Sequence, residues 1–142
     1  MAETPEQRSR TMSRIRSTNT KPEMVVRRLL HALGYRYRLH RKDLPGKPDI
    51  VFGPRKKIVE VRGCYWHVHL RYDPACWEAR SEAKSNRSYW GPKMDRNVER
   101  DQKNLELLQE AGWDVLVIWE CELRDMDAVR ARLERFLEPV RN

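Results

Sequence analysis

Apolar residues recur at helical spacing in three stretches of the chain. The clearest stripe follows a capping box, Thr20-Lys21-Pro22-Glu23, and ends at Gly34, as helices commonly do. A long charged stretch with a narrower apolar side is stopped in the same way by Gly112. An earlier helix start at Thr4-Pro5 opens only a short basic arm, which would be marginal as an isolated helix. Helices are therefore predicted from the capping box to Gly34, over residues 93–111 and over residues 126–137.

Shorter stretches show the alternation or the continuous apolar run of β-strands. Asp49–Phe52 and Lys57–Arg62 flank a Gly-Pro turn and predict a hairpin. Trp113–Trp119 is almost wholly apolar, as expected for a strand buried on both faces, and Tyr35–Leu39 alternates. Strands flanked by helices predict an α/β sandwich around a central mixed sheet. The polar residues 70–90 are predicted to form a long loop, and such loops in compact domains are more often functional than idle.

Length and charge narrow the classes of function. A chain of 142 residues suits a single domain, here divided into a basic arm (1–20), a core (21–125) and a C-terminal helix (126–142). Residues 1–57 hold 15 Lys/Arg against 5 Asp/Glu, whereas residues 58–142 hold 14 against 16, which together give the net charge of +8. The basic half favours a polyanion such as DNA as partner, although a solvated basic surface would show the same balance.

The sequence also predicts a compartment. No stretch approaches the roughly 20 apolar residues of a membrane span, and the N-terminus has no apolar core of a secretory signal. A cytoplasmic location without a membrane partner is therefore expected. In a reducing compartment three cysteines do not suggest a disulfide framework, and the odd count favours metal ligands completed by a histidine.

Two acids and a cation on the predicted hairpin point to a metal-dependent nuclease. If the hairpin turns about residues 54 and 55, Asp49 lies opposite Glu60, with the Cβ atoms about 4.5–5.5 Å apart. Two carboxylates that close need a cation between them, and Mg²⁺ prefers such oxygen ligands. Arg62 follows on the same face and could hold a phosphate or a developing charge. The alternative is an exposed Asp–Arg pair on an ordinary hairpin.

The cysteines and one histidine could form a tetrahedral Cys₃His zinc site, which would be structural because no coordination position stays open. The alternative is a set of unrelated cysteines, two of them buried beside apolar strands. His67 and His69 are two residues apart, so they can serve different sites only if the chain turns after Gly63. His31 and His40 are interpreted as ordinary core or surface residues. The predicted zinc ligands are Cys64, His69, Cys76 and Cys121.

Several motifs, taken together, resemble the very-short-patch repair (Vsr) mismatch endonucleases, in the order in which that family has them. The resemblance covers roughly residues 9–125. It implies a restriction-endonuclease-like, PD-(D/E)xK fold and an enzyme that nicks DNA 5′ of the thymine in T·G mismatches left by deamination of 5-methylcytosine. The matching stretches are Thr11-Met12-Ser13-Arg14-Ile15, Leu44-Pro45-Gly46-Lys47-Pro48-Asp49, Gly63-Cys64-Tyr65-Trp66-His67, Asn97-Val98-Glu99-Arg100-Asp101 and Gly112-Trp113 through Ile118-Trp119-Glu120-Cys121-Glu122-Leu123.

The resemblance also implies roles for individual residues. Asp49 and the Val61 carbonyl would bind Mg²⁺, and His67 would assist proton transfer at the cleaved phosphate. Glu23 would hold metal-bound water or steer that histidine, although its role in the capping box is a complete explanation by itself. The expected DNA contacts are apolar wedges beside the mismatch and two cations in the matching stretches. These residues are Met12, Tyr65 and Trp66 for the wedges, and Arg14 and Lys47 for the cations.

Three departures from the best-known family pattern change the expectation. Val61-Arg62 stands in place of Thr-His, so a histidine that assists catalysis is lost, and arginine cannot replace it as a base. Glu60 replaces an apolar residue and restores the general nuclease pattern, so it could bind Mg²⁺ directly. Cys76 lies seven residues beyond His69, whereas the family's remaining zinc cysteine usually follows by two.

The main hypothesis is a Mg²⁺-dependent mismatch-nicking endonuclease with a structural Zn²⁺, acting on double-stranded DNA. It is expected to be a monomer, with a MutL-like repair protein as a possible partner. The second hypothesis is a restriction-type or structure-specific endonuclease that does not require T·G. The third is a catalytically inactive DNA-binding module that a zinc ion stabilises and in which Arg62 has abolished catalysis.

Overall fold

The structure is a computed structural model that describes residues 19–65, 67–76 and 91–138. The described residues form three α-helices, four strands and two short 3-10 helices. The helices are α1 (Lys21–Ala32), α2 (Pro92–Glu110) and α3 (Met126–Leu137). The strands are β1 (Arg38–Leu39), β2 (Ile50–Phe52), β3 (Lys57–Arg62) and β4 (Asp114–Trp119), and the 3-10 helices are His69–Arg71 and Glu120–Arg124.

The four strands make one mixed sheet in the order β1-β2-β3-β4. Strands β1, β2 and β3 are antiparallel neighbours, whereas β4 returns through α2 to lie parallel to β3. The hairpin pairs Ile50 with Val59 and Phe52 with Lys57. This is the register predicted from a turn at residues 54 and 55. Continuing it by one residue places Asp49 opposite Glu60.

Alternation along the strands sends apolar side chains to both faces of the sheet. One face packs against α1 and α3, where Leu30 and Leu133 are fully buried with Phe52 and Val59. The other face is covered by α2, which contributes Leu108 to a smaller cluster with Ile58. Glu60 and Arg62 share the face of Ile58 by strand alternation. Glu60 and Arg62 therefore lie on the α2 side of the sheet, at the end of β3.

The α/β sandwich around a mixed sheet is confirmed, with two differences in detail. Strand β4 begins at Asp114, and only Ile118 of its six residues is fully covered. The prediction of a strand buried on both faces was therefore wrong, because β4 lies at the edge of the sheet among the described residues. Strand β1 is only two residues long, so most of the alternating stretch before it is not paired.

Some predictions fall on residues that the structure does not describe. They are the basic arm with Met12 and Arg14, the ring of Trp66, and most of the predicted loop at 70–90. The division into arm, core and C-terminal helix stays a prediction. None of the described helices is both long and apolar enough to cross a membrane.

Candidate active site and Cys/His centre

Pro48 and Asp49 together open the end of the hairpin. Proline has no N–H, so Pro48, which would follow opposite Val61 in the register, cannot donate to the Val61 carbonyl. The second hydrogen bond of that pair would use the Val61 N–H, and here the Asp49 carboxylate accepts it at 2.9 Å. A strand residue directs its N–H and C=O toward the same neighbour. The Val61 carbonyl therefore lies on the side of the Asp49 carboxylate, free of a ladder donor from Pro48.

Glu23 takes part in the N-terminal cap of α1, although its carboxylate accepts from Asn19 rather than from the capping residue Thr20, and it also reaches the site. Its N–H donates to the Thr20 hydroxyl at 3.3 Å, and its Oε1 accepts the Asn19 N–H at 3.2 Å. The second oxygen, Oε2, lies 2.7 Å from His40 Nε2 and 3.3 Å from Arg27 Nη1. Glu23 is only 2% exposed. The capping role and a role in the site are thus compatible, since each uses a different oxygen.

Three side chains meet at this point. One ligand atom each from Glu23, His40 and Asp49 lies within 4.8 Å of the other two, close enough for a single cation to touch all three. The interpretation of His40 as an ordinary residue missed this position. The sheet places it there, because β1 pairs Leu39 with Ile50 and the next pair along is His40 with Asp49. The His40 N–H donates to the Asp49 carbonyl at 3.0 Å.

The electrostatics of the site favour a bound cation. Burial raises the pKa of Asp49 to about 7, and the neighbouring charges of Glu23 and Glu60 add to the effect. Burial also raises the pKa of Glu60, against the lowering effect of Arg62. Carboxylates in this state bind a proton or a metal ion in preference to remaining bare.

Glu60 and Arg62 lie beside the group of three rather than in it. Among the described residues, the Glu60 carboxylate does not join Glu23, His40 and Asp49 at ligand distance. It instead faces Arg62, whose Nη2 lies 3.6 Å from Glu60 Oε1. Arg62 is 4% exposed, and its Nε has no hydrogen-bond partner among the described residues. A buried guanidinium with an unused donor keeps positive charge next to the carboxylates.

His67 is oriented by an aspartate that sequence reasoning did not single out. Its Nδ1 lies 2.7 Å from Asp101 Oδ2, and Asp101 on α2 is 8% exposed. His67 is also one of the groups that lower the pKa of Glu60, so the ring lies on the side of the carboxylates. Asp101 lies within a stretch that matched the family, but only the packing of α2 on β3 gives it a partner.

The chain turns between the two histidines, as their separate use requires. The His67 N–H donates to the Gly63 carbonyl and the His69 N–H to the Cys64 carbonyl, and Val68 adopts a left-handed conformation with φ of +52°. His67 consequently faces Asp101, while His69 faces the cysteines.

Four potential zinc ligands lie close together beside this turn. Single ligand atoms of Cys64, His69, Cys76 and Cys121 all lie within 4.8 Å of one another. His69 Nδ1 lies 3.5 Å from Cys121 Sγ, and the Cys121 N–H donates to Cys64 Sγ at 3.3 Å. A turn in which the Cys76 N–H donates to the Asp73 carbonyl brings the distant cysteine back. The donor set is compatible with tetrahedral zinc.

The thiols of this cluster are disfavoured as free ionised groups. Burial raises the pKa of Cys64 far above its ordinary value and that of Cys121 to about 11, and the charge of Cys76 adds to both. Burial lowers the pKa of His69, which keeps the ring neutral. Neutral imidazole is the form that binds a metal.

Of the residues expected to contact DNA, the structure describes Lys47 and Tyr65, and these two differ in exposure. Lys47 is exposed at a turn beside Asp49, where a cation could reach a phosphate. Gly46 before it has φ of +76°, and a Cβ there would lie 2.7 Å from Asn104 Nδ2, so the loop packs closely on α2. Tyr65 is only 8% exposed and packs against Val68 and Met94.

Comparison with known proteins decides the family. The family model of DNA mismatch endonuclease Vsr matches residues 2–73, half of the chain. The DNA mismatch endonuclease Vsr of Escherichia coli K12 is 35% identical over 135 residues, which cover 92% of this chain and 83% of that protein. The chain belongs to the Vsr family.

Other Vsr relatives are named as nicking enzymes. The type II nicking enzyme V.XorIIP of Xanthomonas oryzae pv. oryzae is 49% identical, with 95% of each chain covered. Among solved structures, the catalytic domain of the homing endonuclease I-Bth0305I aligns with a TM-score of 0.56 and 25% identity, covering 84% of this chain and 95% of that domain. The predicted family and the restriction-endonuclease-like fold are confirmed, and the chain is a Vsr-family DNA endonuclease.

Proposed function

We propose that this Vsr-family enzyme nicks one strand of double-stranded DNA 5′ of the thymine in T·G mismatches, and that it depends on Mg²⁺. The observation that carries the proposal is the meeting of Glu23, His40 and Asp49 beside the Val61 carbonyl. Two carboxylates, a histidine and a backbone carbonyl at one point can hold a divalent cation, and such a cation suits phosphodiester hydrolysis.

The donor set at the end of the hairpin fits a hard divalent cation. Asp49 and the Val61 carbonyl would hold Mg²⁺, and Glu60 would join by rotating away from Arg62. Such an ion supplies positive charge to the scissile phosphate and an activated water. Glu23 would bind the same ion, directly or through its water, because its ligand oxygen lies within 4.8 Å of the ligand atoms of Asp49 and His40.

His67 would manage the proton at the cleaved phosphate. Donation from Nδ1–H to Asp101 leaves the Nε2 lone pair available for a proton. Asp101 thus fixes both the tautomer and the direction of the ring. Arg62 contributes charge without exchanging protons, since a guanidinium does not deprotonate in proteins.

A Zn²⁺ ion held by the Cys₃His cluster would be structural. With all four positions filled by protein, no place remains for water or substrate. Its ligands Cys64 and Cys121 follow β3 and β4 directly. The ion would therefore join the end of β3, which carries Glu60 and Arg62, to the end of β4.

The names of the relatives support a cut in a single strand, and they also keep a second target open. The E. coli relative is named a mismatch endonuclease, whereas V.XorIIP and V.NaeI are named type II nicking enzymes. The second candidate is therefore an enzyme that nicks DNA without requiring T·G. A monomeric state, a MutL-like partner, a cytoplasmic location and the wedge roles of Met12, Tyr65 and Trp66 stay predictions.

Strand-specific cleavage tests the proposal. Duplexes with a T·G pair, and matched duplexes of the same sequence, are end-labelled on each strand and incubated with Mg²⁺ or EDTA. The expected result is a Mg²⁺-dependent nick 5′ of the thymine, abolished in Asp49→Ala and retained in the exposed control Asp43→Ala. Equal cutting of matched duplexes would establish the second candidate. Binding without cutting in any divalent metal would identify a DNA-binding module.

A further inference from the structure

We propose that His40 is a direct ligand of the catalytic cation, so that the site is a mixed nitrogen and oxygen site that binds Mn²⁺ more tightly than Mg²⁺. This rests on the proposed function, in that it concerns the metal of the same site. Its residues are Glu23, His40, Asp49 and the Val61 carbonyl.

The distances allow one ion to be shared. Ligand atoms at neighbouring corners of an octahedron with bonds of about 2.1 Å lie about 3 Å apart, and those at opposite corners about 4.2 Å. The ligand atoms of Glu23, His40 and Asp49 are within 4.8 Å of one another, and His40 Nε2 is 2.7 Å from Glu23 Oε2. Small side-chain rotations therefore suffice. The imidazole presents the Nε2 lone pair when its proton is on Nδ1.

Two features of the backbone place His40 beside Asp49. Its N–H donates to the Asp49 carbonyl, which continues the pairing of β1 with β2. Its φ of +47° then turns the chain sharply after the strand. A non-glycine residue in the left-handed region is uncommon and is found preferentially where surrounding structure or function requires it. The histidine ring is thereby held beside two carboxylates.

The chemistry of the donors sets the preference. Mg²⁺ favours oxygen ligands and retains water, whereas imidazole suits first-row transition metals. Mn²⁺ accepts both kinds of ligand, and the order of affinity for such sites begins with Mn²⁺ and rises toward Cu²⁺. A site with one imidazole, two carboxylates and one carbonyl should consequently accept Mg²⁺ but bind Mn²⁺ more tightly.

The test compares the zinc-loaded wild-type enzyme with His40→Gln. Glutamine can still donate to Glu23, so it preserves the positioning role while losing the imidazole. Calorimetric titration with MnCl₂ and with MgCl₂ should give a Mn²⁺ affinity lowered by about tenfold or more in His40→Gln, and a Mg²⁺ affinity changed by no more than about threefold. His31→Gln, an exposed histidine on α1, is the matched control and should match the wild type.

Electron spin echo spectroscopy of bound Mn²⁺ identifies the ligand directly. The wild type and His31→Gln should show coupling to an imidazole nitrogen, and His40→Gln should not. Coupling that persists in His40→Gln and disappears in His67→Gln would overturn the proposal and assign the ligand to His67. Equal affinities of wild type and His40→Gln for both metals would overturn it as well. If the enzyme nicks T·G duplexes in Mg²⁺ but bound Mn²⁺ shows no imidazole coupling, the proposed function holds and the His40 ligand is refuted. If bound Mn²⁺ shows the coupling but no metal supports nicking, the His40 ligand holds and the proposed function is refuted.

Discussion

Replacing Asp49 by asparagine should stabilise the metal-free protein while abolishing cleavage. The side chain keeps its shape, and its Oδ1 can still accept the Val61 N–H, but the charge facing Glu23 and Glu60 is removed. Stability and activity therefore change in opposite directions, as expected for a carboxylate that serves a metal rather than the fold.

The pKa of Asp49 gives the magnitude and the pH range. Burial raises the pKa to about 7 from an ordinary value of 3.8. One pKa unit corresponds to about 1.4 kcal/mol, so ionising Asp49 in the folded protein costs at most about 4 kcal/mol. Because the side chain is partly exposed and solvent screens it, we expect roughly 2 kcal/mol. That corresponds to a rise in melting temperature of about 6 °C.

The sign follows from proton binding. Between about pH 4 and pH 7 the folded wild type holds the Asp49 proton that the unfolded chain releases, so its stability falls as the pH rises through that window. The asparagine side chain has no such proton. The gain in stability of Asp49→Asn should therefore be near zero below pH 4 and complete above pH 7.

The assay is thermal unfolding in EDTA between pH 4 and pH 8, with the exposed Asp114→Asn as a control that should show no difference from wild type. Added Mg²⁺ at pH 8 should raise the melting temperature of the wild type more than that of Asp49→Asn, because ligands stabilise the state that binds them. A melting temperature of Asp49→Asn equal to or below that of the wild type at pH 8, or a gain independent of pH, would refute the reasoning.

Three further predictions test other parts of the site. Asp101→Asn leaves His67 without its charged partner and should lower the rate of cleavage by about 10²-fold or more. DNA binding, measured in Ca²⁺, should be unchanged. An equal loss of DNA binding would contradict a role through His67. Cys76→Ser should weaken Zn²⁺ binding by more than about tenfold, measured by competition with a chelator, and unchanged affinity would exclude Cys76 as a ligand. Gly46→Ala should destabilise the fold by about 1–2 kcal/mol in chemical denaturation, because φ is positive and Asn104 occupies the space; an unaltered midpoint would argue against that contact.

Local sequence signals predicted the elements whose ends or register are set by neighbouring residues. Helix α3 matches its expected bounds, since Asp125 caps it by accepting the Ala128 N–H. The hairpin register followed from the four-residue turn and the apolar pattern. Strand β4 was misjudged, because an apolar sequence does not show whether a further strand or helix covers it.

Non-local pairing limited the prediction of the site. His40 joins Asp49 only through the pairing of β1 with β2, and Asp101 joins His67 only when α2 packs across the end of β3. Neither partner has a characteristic spacing in the chain. The Cys₃His set was found because cysteines are few, so that composition substituted for spacing.

The parallel pairing of β3 with β4 has a kinetic consequence. The antiparallel hairpin that carries Asp49 closes through a short turn, whereas the parallel pairing of β3 with β4 needs a long crossover that includes α2, and such non-local pairing is intrinsically slow. Cys64 and Cys121 lie just beyond the ends of these two strands and become neighbours only after that event. An ion held between them would slow unfolding while leaving the rate of folding almost unchanged. The centre that touches no substrate would then set the lifetime of the active enzyme.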